Sequence, residues 1–142
     1  SWSPSSISYT GNNRTHMIRI PDPGRFELRL MDGSANPYLL QASVLAAGLD
    51  GLKNKIDPGK PLNCNMYEDH EKYPNLPKLP DNLDQSLEKL KNNKDMNDAF
   101  GKEVINSYIK LRNSEINEFK QKESFDKTKA ITSWERDNTL DC

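Results

Sequence analysis

The clearest hydrophobic pattern in the sequence is the strict alternation of charged and apolar residues from Arg25 to Leu30. A period of two predicts a β-strand, because successive side chains of a strand point to opposite faces. One face of this strand is apolar, and we expect it to pack inward. The other face carries a positive, a negative and a positive charge, from Arg25, Glu27 and Arg29.

A second strand is predicted immediately upstream, from Thr15 to Ile20, where β-branched residues are frequent. The segment from Pro21 to Gly24 predicts a turn, since proline fixes φ and glycine accepts a positive φ. These segments form a β-hairpin. Residues 6–10 predict a weaker first strand, so the N-terminal region reads as an antiparallel hairpin or meander.

The register of this hairpin is left open by the sequence. A four-residue turn pairs Ile20 with Arg25 and places Arg19 on the apolar face, which is unfavourable for a charged group. A bulge or an odd-length loop places Arg19 beside Glu27 instead. The chemistry favours the second arrangement.

Helical spacing replaces the strand pattern after the hairpin. Asn36 followed by Pro37 predicts a helix start, and the apolar stripe that follows continues to a break at 57–59. Residues 58–81 predict a long proline-rich connector. Further helices are predicted at 82–90 and 102–120, with a short helical turn at 95–100, and residues 121–142 are polar. The predicted class is therefore α+β, a hairpin followed by three helices.

Composition excludes several functions. The 142 residues carry a net charge of −1, so no nucleic-acid partner is expected. No apolar run approaches the roughly 18 residues that a membrane span needs, so no membrane partner is expected. Cys64 and Cys142 fit no metal-binding spacing, and we interpret them as reduced thiols of a cytoplasmic protein. The chain opens at Ser1 within a β-like region, and we expect it to be part of a longer protein.

The positive charges of the first fifty residues are all arginines, at positions 14, 19, 25 and 29. Arginine rather than lysine suggests planar, bidentate contact with carboxylate or phosphate oxygens. The charged strand face has two interpretations. It is a solvated surface whose ion pairs contribute about 0–1 kcal/mol, or it is a carboxylate that binds a hard divalent cation between arginines that bind anions. Glu27 alone cannot hold a metal ion, so other ligands must come from elsewhere.

Other candidate residues favour ordinary roles. His16 is more consistent with a packed, hydrogen-bonded histidine than with a ligand or base. Tyr67 lies in a predicted loop next to acidic residues and is either an ordinary loop tyrosine or a modification target. Trp2, Phe125, Ile131 and Trp134 are isolated apolar anchors in polar surroundings.

Three segments together resemble the C-terminal part of the glutamine synthetase catalytic domain: NRTHMIRIP, RFELRL and DGSANPYLLQASVLAAGLDGLKNKIDPG. The resemblance implies a ligase that joins ammonia to glutamate through a γ-glutamyl phosphate. It also implies ATP and Mg²⁺ or Mn²⁺ at the site. The implied assembly is a cytoplasmic homo-oligomer, a ring-shaped dodecamer.

The same resemblance implies residue roles. Arg14 and Arg19 contact phosphate groups and act in catalysis, and Arg25 also faces the nucleotide phosphates. Glu27 binds the metal ion nearer to ATP, and Arg29 holds the carboxylate of the substrate glutamate. Tyr67 matches a tyrosine that is nucleotidylated in some bacterial members of the family.

Two other functions fit the same residues. One is a γ-glutamyl-amine ligase that acts on methylamine or a polyamine. The other is a non-catalytic structural or regulatory remnant of such a ligase. The family's remaining metal ligands, its flap glutamate and its N-terminal β-grasp domain have no counterpart in these 142 residues. We therefore expect the chain alone to be inactive.

Overall fold

A computed structural model describes residues 3–123 and 131–139. The chain divides into two units, Ser1–Gly33 with Asp57–Leu79, and Ser34–Ile56 with Pro80–Cys142. No helix within the described ranges is long and apolar enough to cross a membrane. The predictions made for Trp2, Phe125 and Cys142 lie outside the described residues.

The elements of the first unit are β1 (Tyr9–Thr10), β2 (Ile18–Asp22), β3 (Arg25–Leu28), α2 (Met66–Asp69) and a 3₁₀ helix (His70–Lys72). Those of the second unit are α1 (Pro37–Lys53), α3 (Leu83–Asn92), α4 (Lys94–Phe100), α5 (Lys102–Lys122) and α6 (Ser133–Asn138). The predicted α+β class is confirmed.

The hairpin is confirmed, and its register is the one that the chemistry favours. Strands β2 and β3 are antiparallel, with Arg19 opposite Glu27 and Asp22 opposite Arg25, and the register shifts between these two pairs. The irregularity falls where Pro21 interrupts the strand, as is usual for a residue that has no N–H to donate. The predicted four-residue turn is too long, because β2 continues to Asp22 and only Pro23 and Gly24 remain between the strands.

The first strand departs from the antiparallel arrangement of a meander. Strand β1 pairs with β2 in parallel, with Tyr9 opposite Ile18 and Thr10 opposite Arg19. The residues between them form an irregular loop instead of a tight turn. Upstream of β1, Ser6 forms an isolated antiparallel bridge with Lys78 from the connector.

Helix caps explain the boundaries in the second unit. The side chain of Asn36 accepts hydrogen bonds from the backbone N–H groups of Tyr38 and Leu39, which begins α1, and Asn82 begins α3 in the same way. Helix α1 ends at Lys53, before the predicted break at 57–59. The predicted helical turn at 95–100 is α4, whereas α2 and α6 were not predicted.

The core of the second unit is small. Helix α3 packs against α5, and α4 contacts α1, α3 and α5. Among the described residues of this unit, the buried apolar side chains are Leu87, Ile105 and Ile116. Trp134 meets Phe119 edge to face at 5.5 Å between ring centroids, so it packs within this unit and is not isolated. Ile131, which was predicted as an apolar anchor, is 63% exposed.

The prediction that the apolar face of β3 packs inward is wrong for the described residues. Phe26 is 57% exposed, and Leu30 on the same face is also exposed. Three short strands supply one layer, and an apolar sheet face is buried only when a second layer covers it. The apolar stripe of α1 is likewise open, and Leu52 there is 79% exposed.

Candidate functional site

The charged face of the hairpin forms a compact cluster of Arg19, Glu27 and Arg29. Arg19 Nη1 donates to Glu27 Oε2 at 2.7 Å, and Arg29 Nε lies 3.4 Å from Glu27 Oε1. The register shift makes this possible, because it brings Arg19 directly across from Glu27. Both carboxylate oxygens therefore face a guanidinium group.

Asn12 holds the opposite edge of the Arg19 guanidinium. Its side-chain oxygen accepts from Arg19 Nε at 2.9 Å and also from Nη2. Arg19 is thus fixed between an amide and a carboxylate, and its side chain is largely buried. An arginine held on two sides is preorganised, so little freedom is lost when an anion binds to it.

A cavity of about 790 Å³ opens beside this cluster, within the first unit. Among the described residues that line it there are two arginines and several amides, and no acid. They are Thr10, Gly11, Asn12, Asn13, Arg14, Arg19, Pro61 and Asn63. Guanidinium and amide donors around an open cavity suit an anionic ligand such as a phosphate chain. The local sequence did not indicate Asn12, Asn13 and Asn63 as cavity residues, because their positions depend on the conformation of irregular loops.

Arg25 lies apart from the cluster. It is exposed at the end of the hairpin, where its Nη2 contacts Asp22 Oδ2 at 2.7 Å. An ion pair this exposed contributes about 0–1 kcal/mol, so it can exchange readily for another partner.

Tyr67 lies close to the backbone of the arginine segment. It belongs to α2, and its phenol oxygen donates to the carbonyl of Arg14 at 3.4 Å. The neighbouring Met66 N–H donates to Thr15 Oγ1 at 3.0 Å. The candidate modification site and a candidate phosphate ligand therefore share one patch of the first unit.

His16 is packed and hydrogen-bonded, as predicted. It is 0% exposed, and its two ring nitrogens lie 3.0 Å from Ser8 Oγ and 3.0 Å from the carbonyl oxygen of Cys64. It therefore takes part in the structure of the first unit and does not face the cavity as a ligand.

Glu27 is the one side chain of the cluster that suits a metal ion. Its carboxylate is a hard oxygen donor and is 42% exposed, so a divalent cation can reach it. Within residues 3–123 and 131–139, no three His, Cys, Asp or Glu side chains group together as a metal site. The described residues therefore contain no complete metal site of their own.

Comparisons with known proteins all match this chain to one enzyme family. The family described as glutamine synthetase, catalytic domain, matches residues 1–137. A glutamine synthetase of Rhizobium meliloti (strain 1021) is 46% identical over 140 residues, which cover 99% of this chain and 30% of the relative. A glutamate–methylamine ligase of Methyloversatilis universalis is 38% identical over 143 residues, with the same coverage of each chain.

A solved structure described as a GmaS/ADP complex has the same fold. Its TM-score is 0.81 at 42% identity, and the match covers 99% of this chain and 30% of that one. A ligand-free GmaS structure matches with a TM-score of 0.79. The chain therefore spans about a third of the length of the relatives and structures that it matches.

Proposed function

The chain belongs to the glutamine synthetase family, and on this premise we propose that it is the C-terminal segment of the catalytic domain of an ATP-dependent carbon–nitrogen ligase. In the proposed reaction the γ-phosphoryl group of ATP passes to the γ-carboxylate of glutamate. This step yields ADP and γ-glutamyl phosphate. Ammonia then displaces phosphate, which leaves glutamine. The remaining catalytic residues would come from the rest of a longer polypeptide, in a cytoplasmic ring of twelve subunits.

Arg14 and Arg19 bind the phosphate chain in this proposal. Both line the 790 Å³ cavity, and positive groups fixed around a transferring phosphoryl group stabilise the charge that spreads over its oxygens. Arginines remain charged at every working pH, so they do this without giving up a proton. Arg25 reaches the nucleotide phosphates from the hairpin end by releasing its exposed contact with Asp22.

Arg29 binds the carboxylate of the substrate glutamate, and Glu27 holds Mg²⁺ or Mn²⁺. When bound, the metal ion neutralises phosphate oxygens and draws charge from the group that is transferred. Glu27 supports this role as an accessible oxygen donor between two arginines. The arginines bind the anions that arrive with the metal, so charges of both signs are balanced at one surface.

The observation that carries the proposal is the Arg19–Glu27–Arg29 cluster beside a cavity lined by basic and amide groups. The test is ADP formation by the complete ligase polypeptide, measured with and without glutamate and ammonia. We expect Arg19→Gln to abolish glutamate-dependent ADP formation. The matched control is Arg136→Gln, which removes an exposed arginine of α6 and should leave the activity unchanged. Equal activity of the two variants would contradict the proposal.

A second candidate is a glutamate–methylamine ligase. The 38% identity to such a ligase and the 42% identity to GmaS structures favour it. The same assay with ammonia, methylamine or a polyamine as the acceptor distinguishes the two candidate functions. The acceptor with the highest kcat/KM identifies the ligase. No ADP formation with any of these amines would instead support a non-catalytic remnant.

Tyr67 remains a proposed modification site. Nucleotidylation would place a phosphodiester on the phenol oxygen that now contacts the Arg14 carbonyl. Intact-mass measurement of the protein isolated from nitrogen-rich and nitrogen-poor cultures tests this. A mass increase that Tyr67→Phe removes supports it, and an identical mass under both conditions contradicts it.

A further inference from the structure

The segment that carries Arg14 is attached at both ends to a single backbone acceptor. Asn13 Nδ2 donates to the carbonyl oxygen of Cys64 at 2.9 Å. His16 Nε2 lies 3.0 Å from the same oxygen. We call these three groups the Cys64 anchor. Arg14 lies between its two donors in sequence, more than forty residues before the carbonyl that receives them.

The bonding of His16 fixes its orientation. A carbonyl oxygen only accepts, so Nε2 carries a proton and donates to Cys64. In the neutral ring Nδ1 then accepts from the hydroxyl of Ser8, at 3.0 Å. Both ring nitrogens are used, and the ring is 0% exposed. An apolar side chain at this position would leave the buried Ser8 hydroxyl and part of the Cys64 carbonyl without their partner, which is costly.

Arg14 depends on this anchor because its own side chain is exposed at the cavity. The backbone on either side of it therefore sets where the guanidinium group can reach. The adjoining bonds support the same segment, from Met66 N–H to Thr15 Oγ1 and from Tyr67 to the Arg14 carbonyl. A displacement of about 1 Å in a group that positions substrate can cost on the order of a hundredfold in rate.

We propose that His16 is a positioning residue, which acts through the Cys64 anchor to hold Arg14 against the phosphate chain of the nucleotide. The inference rests on the proposed phosphate-binding role of Arg14. His16 does not line the cavity, and its effect on the reaction passes through the backbone of residues 13–16.

A double-mutant cycle in the complete ligase polypeptide tests this. His16→Leu should lower kcat/KM for ATP about tenfold or more, while the KM for glutamate changes little. Combined with Arg14→Ala, His16→Leu should add no further loss beyond about twofold, because residues that act through one another are not additive. Additive losses would overturn the proposal, since they would show that His16 acts independently of Arg14.

Two further variants separate positioning from a merely structural role. His16→Gln keeps an amide donor near the position of Nε2 and should recover most of the kcat/KM for ATP. His16→Phe keeps a planar ring in the buried position without either hydrogen bond, and it replaces His16→Leu if that variant does not fold. Full ATP use by a folded His16→Phe enzyme would overturn the proposal. If Arg14→Ala alone leaves ATP use unchanged, both the phosphate-binding role of Arg14 and the function of the Cys64 anchor are refuted. If Arg14→Ala impairs ATP use but a folded His16→Phe enzyme does not, only the function of the anchor is refuted.

Discussion

Glu27 shows how neighbouring charges restrict a side chain that solvent can reach. Its carboxylate is partly exposed, yet Arg19 and Arg29 face its two oxygens. A cation that binds there alone meets the two guanidinium groups that already hold the carboxylate. A cation that arrives with a phosphate chain does not, because the phosphates satisfy the arginines. The geometry therefore favours joint binding of metal and nucleotide over binding of the metal by itself.

Replacing Glu27 by glutamine tests this reasoning. We expect the Mg²⁺ concentration for half-maximal activity of the complete ligase to rise by about tenfold or more, as is usual for changes at a metal site. The measurement is the rate of ADP formation against Mg²⁺ at fixed ATP. Glu71→Gln makes the same change at an exposed position of the 3₁₀ helix and should have no effect. Normal turnover of Glu27→Gln at low Mg²⁺ would show that Glu27 is not a ligand.

Replacing Arg29 by lysine tests the proposed contact between Arg29 and the carboxylate of the substrate glutamate. Lysine keeps the charge but loses the planar fork that binds both oxygens of a carboxylate. We expect the KM for glutamate to rise about tenfold, a loss in the range of one charge-assisted hydrogen bond. Arg136→Lys in α6 is the matched control. An unchanged glutamate KM would count against this role for Arg29.

Single residues were predicted well where one chemical preference dominated. Arg19 beside Glu27 followed from the cost of placing a charge on an apolar face, and the structure has that pairing. Asn12 was not predicted, because its contact with Arg19 depends on a loop conformation that the local sequence does not specify. His16 was assigned correctly as buried, but its partner Cys64 is distant in sequence and no local pattern indicates it.

At the scale of elements, the two-residue turn between β2 and β3 determines how the chain reverses direction in the hairpin. Pro23 and Gly24 occupy its two central positions, and Gly24 has a φ of +78°, as a type II turn requires. The space around Gly24 is open, so an added Cβ would meet strain and no steric clash. The strain of a positive φ would therefore be the main cost of a side chain there.

Gly24→Ala should lower the free energy of unfolding by about 1 kcal/mol. Denaturant unfolding of the chain measures this. Gly33→Ala is the matched control, because Gly33 also has open space but no positive φ. Equal stability of the two variants would show that the turn is not strained by a side chain at position 24.

The pair of Asp69 and Lys72 predicts a pH response in the segment that contains Tyr67. The hydrogen bond from Lys72 holds the pKa of Asp69 below its usual value of 3.8. A lowered pKa in the folded state stabilises the fold above the usual pKa, and this contribution is lost as the pH falls through the lowered value. The effect is confined to strongly acidic solution, below about pH 4.

Lys72→Met should return the pKa of Asp69 toward 3.8, because it removes the largest cause of the shift. An NMR titration of the Asp69 side-chain carboxyl carbon measures the change. Lys60→Met removes another exposed lysine of the same unit and should leave Asp69 as it was. An Asp69 pKa that is the same in both variants would contradict the assignment.

Elements were predicted where local signals coincide. Asn36 with Pro37 and Asn82 mark helix starts that the structure confirms. The parallel pairing of β1 was not predictable in the same way, because β1 has only two residues and its direction is set by the irregular loop before β2. Helix α2 was missed for a similar reason. Its four residues are too few for a helical period to appear.

At the scale of the whole molecule, each unit leaves large apolar side chains exposed. Phe26 and Leu30 in the first unit and Leu45, Leu49 and Leu52 in the second are all exposed. The chain also spans only about a third of the length of its relatives. The sequence could predict the faces of each element, since periodicity determines them. It could not predict what covers those faces, since periodicity identifies an apolar face but not the element that packs against it.

The last prediction concerns the 142-residue chain on its own. It should catalyse no glutamate-dependent ADP formation, and it should bind a hydrophobic dye and self-associate as its concentration rises, because large exposed apolar patches favour association. Dye fluorescence and size-exclusion chromatography over a concentration series measure both properties. Leu45→Gln with Leu49→Gln in α1 should reduce both, whereas Lys110→Gln with Lys120→Gln in α5 should not. A monomeric chain that binds no dye would contradict this prediction. It would mean that the leucines of α1 need no covering layer from a longer polypeptide.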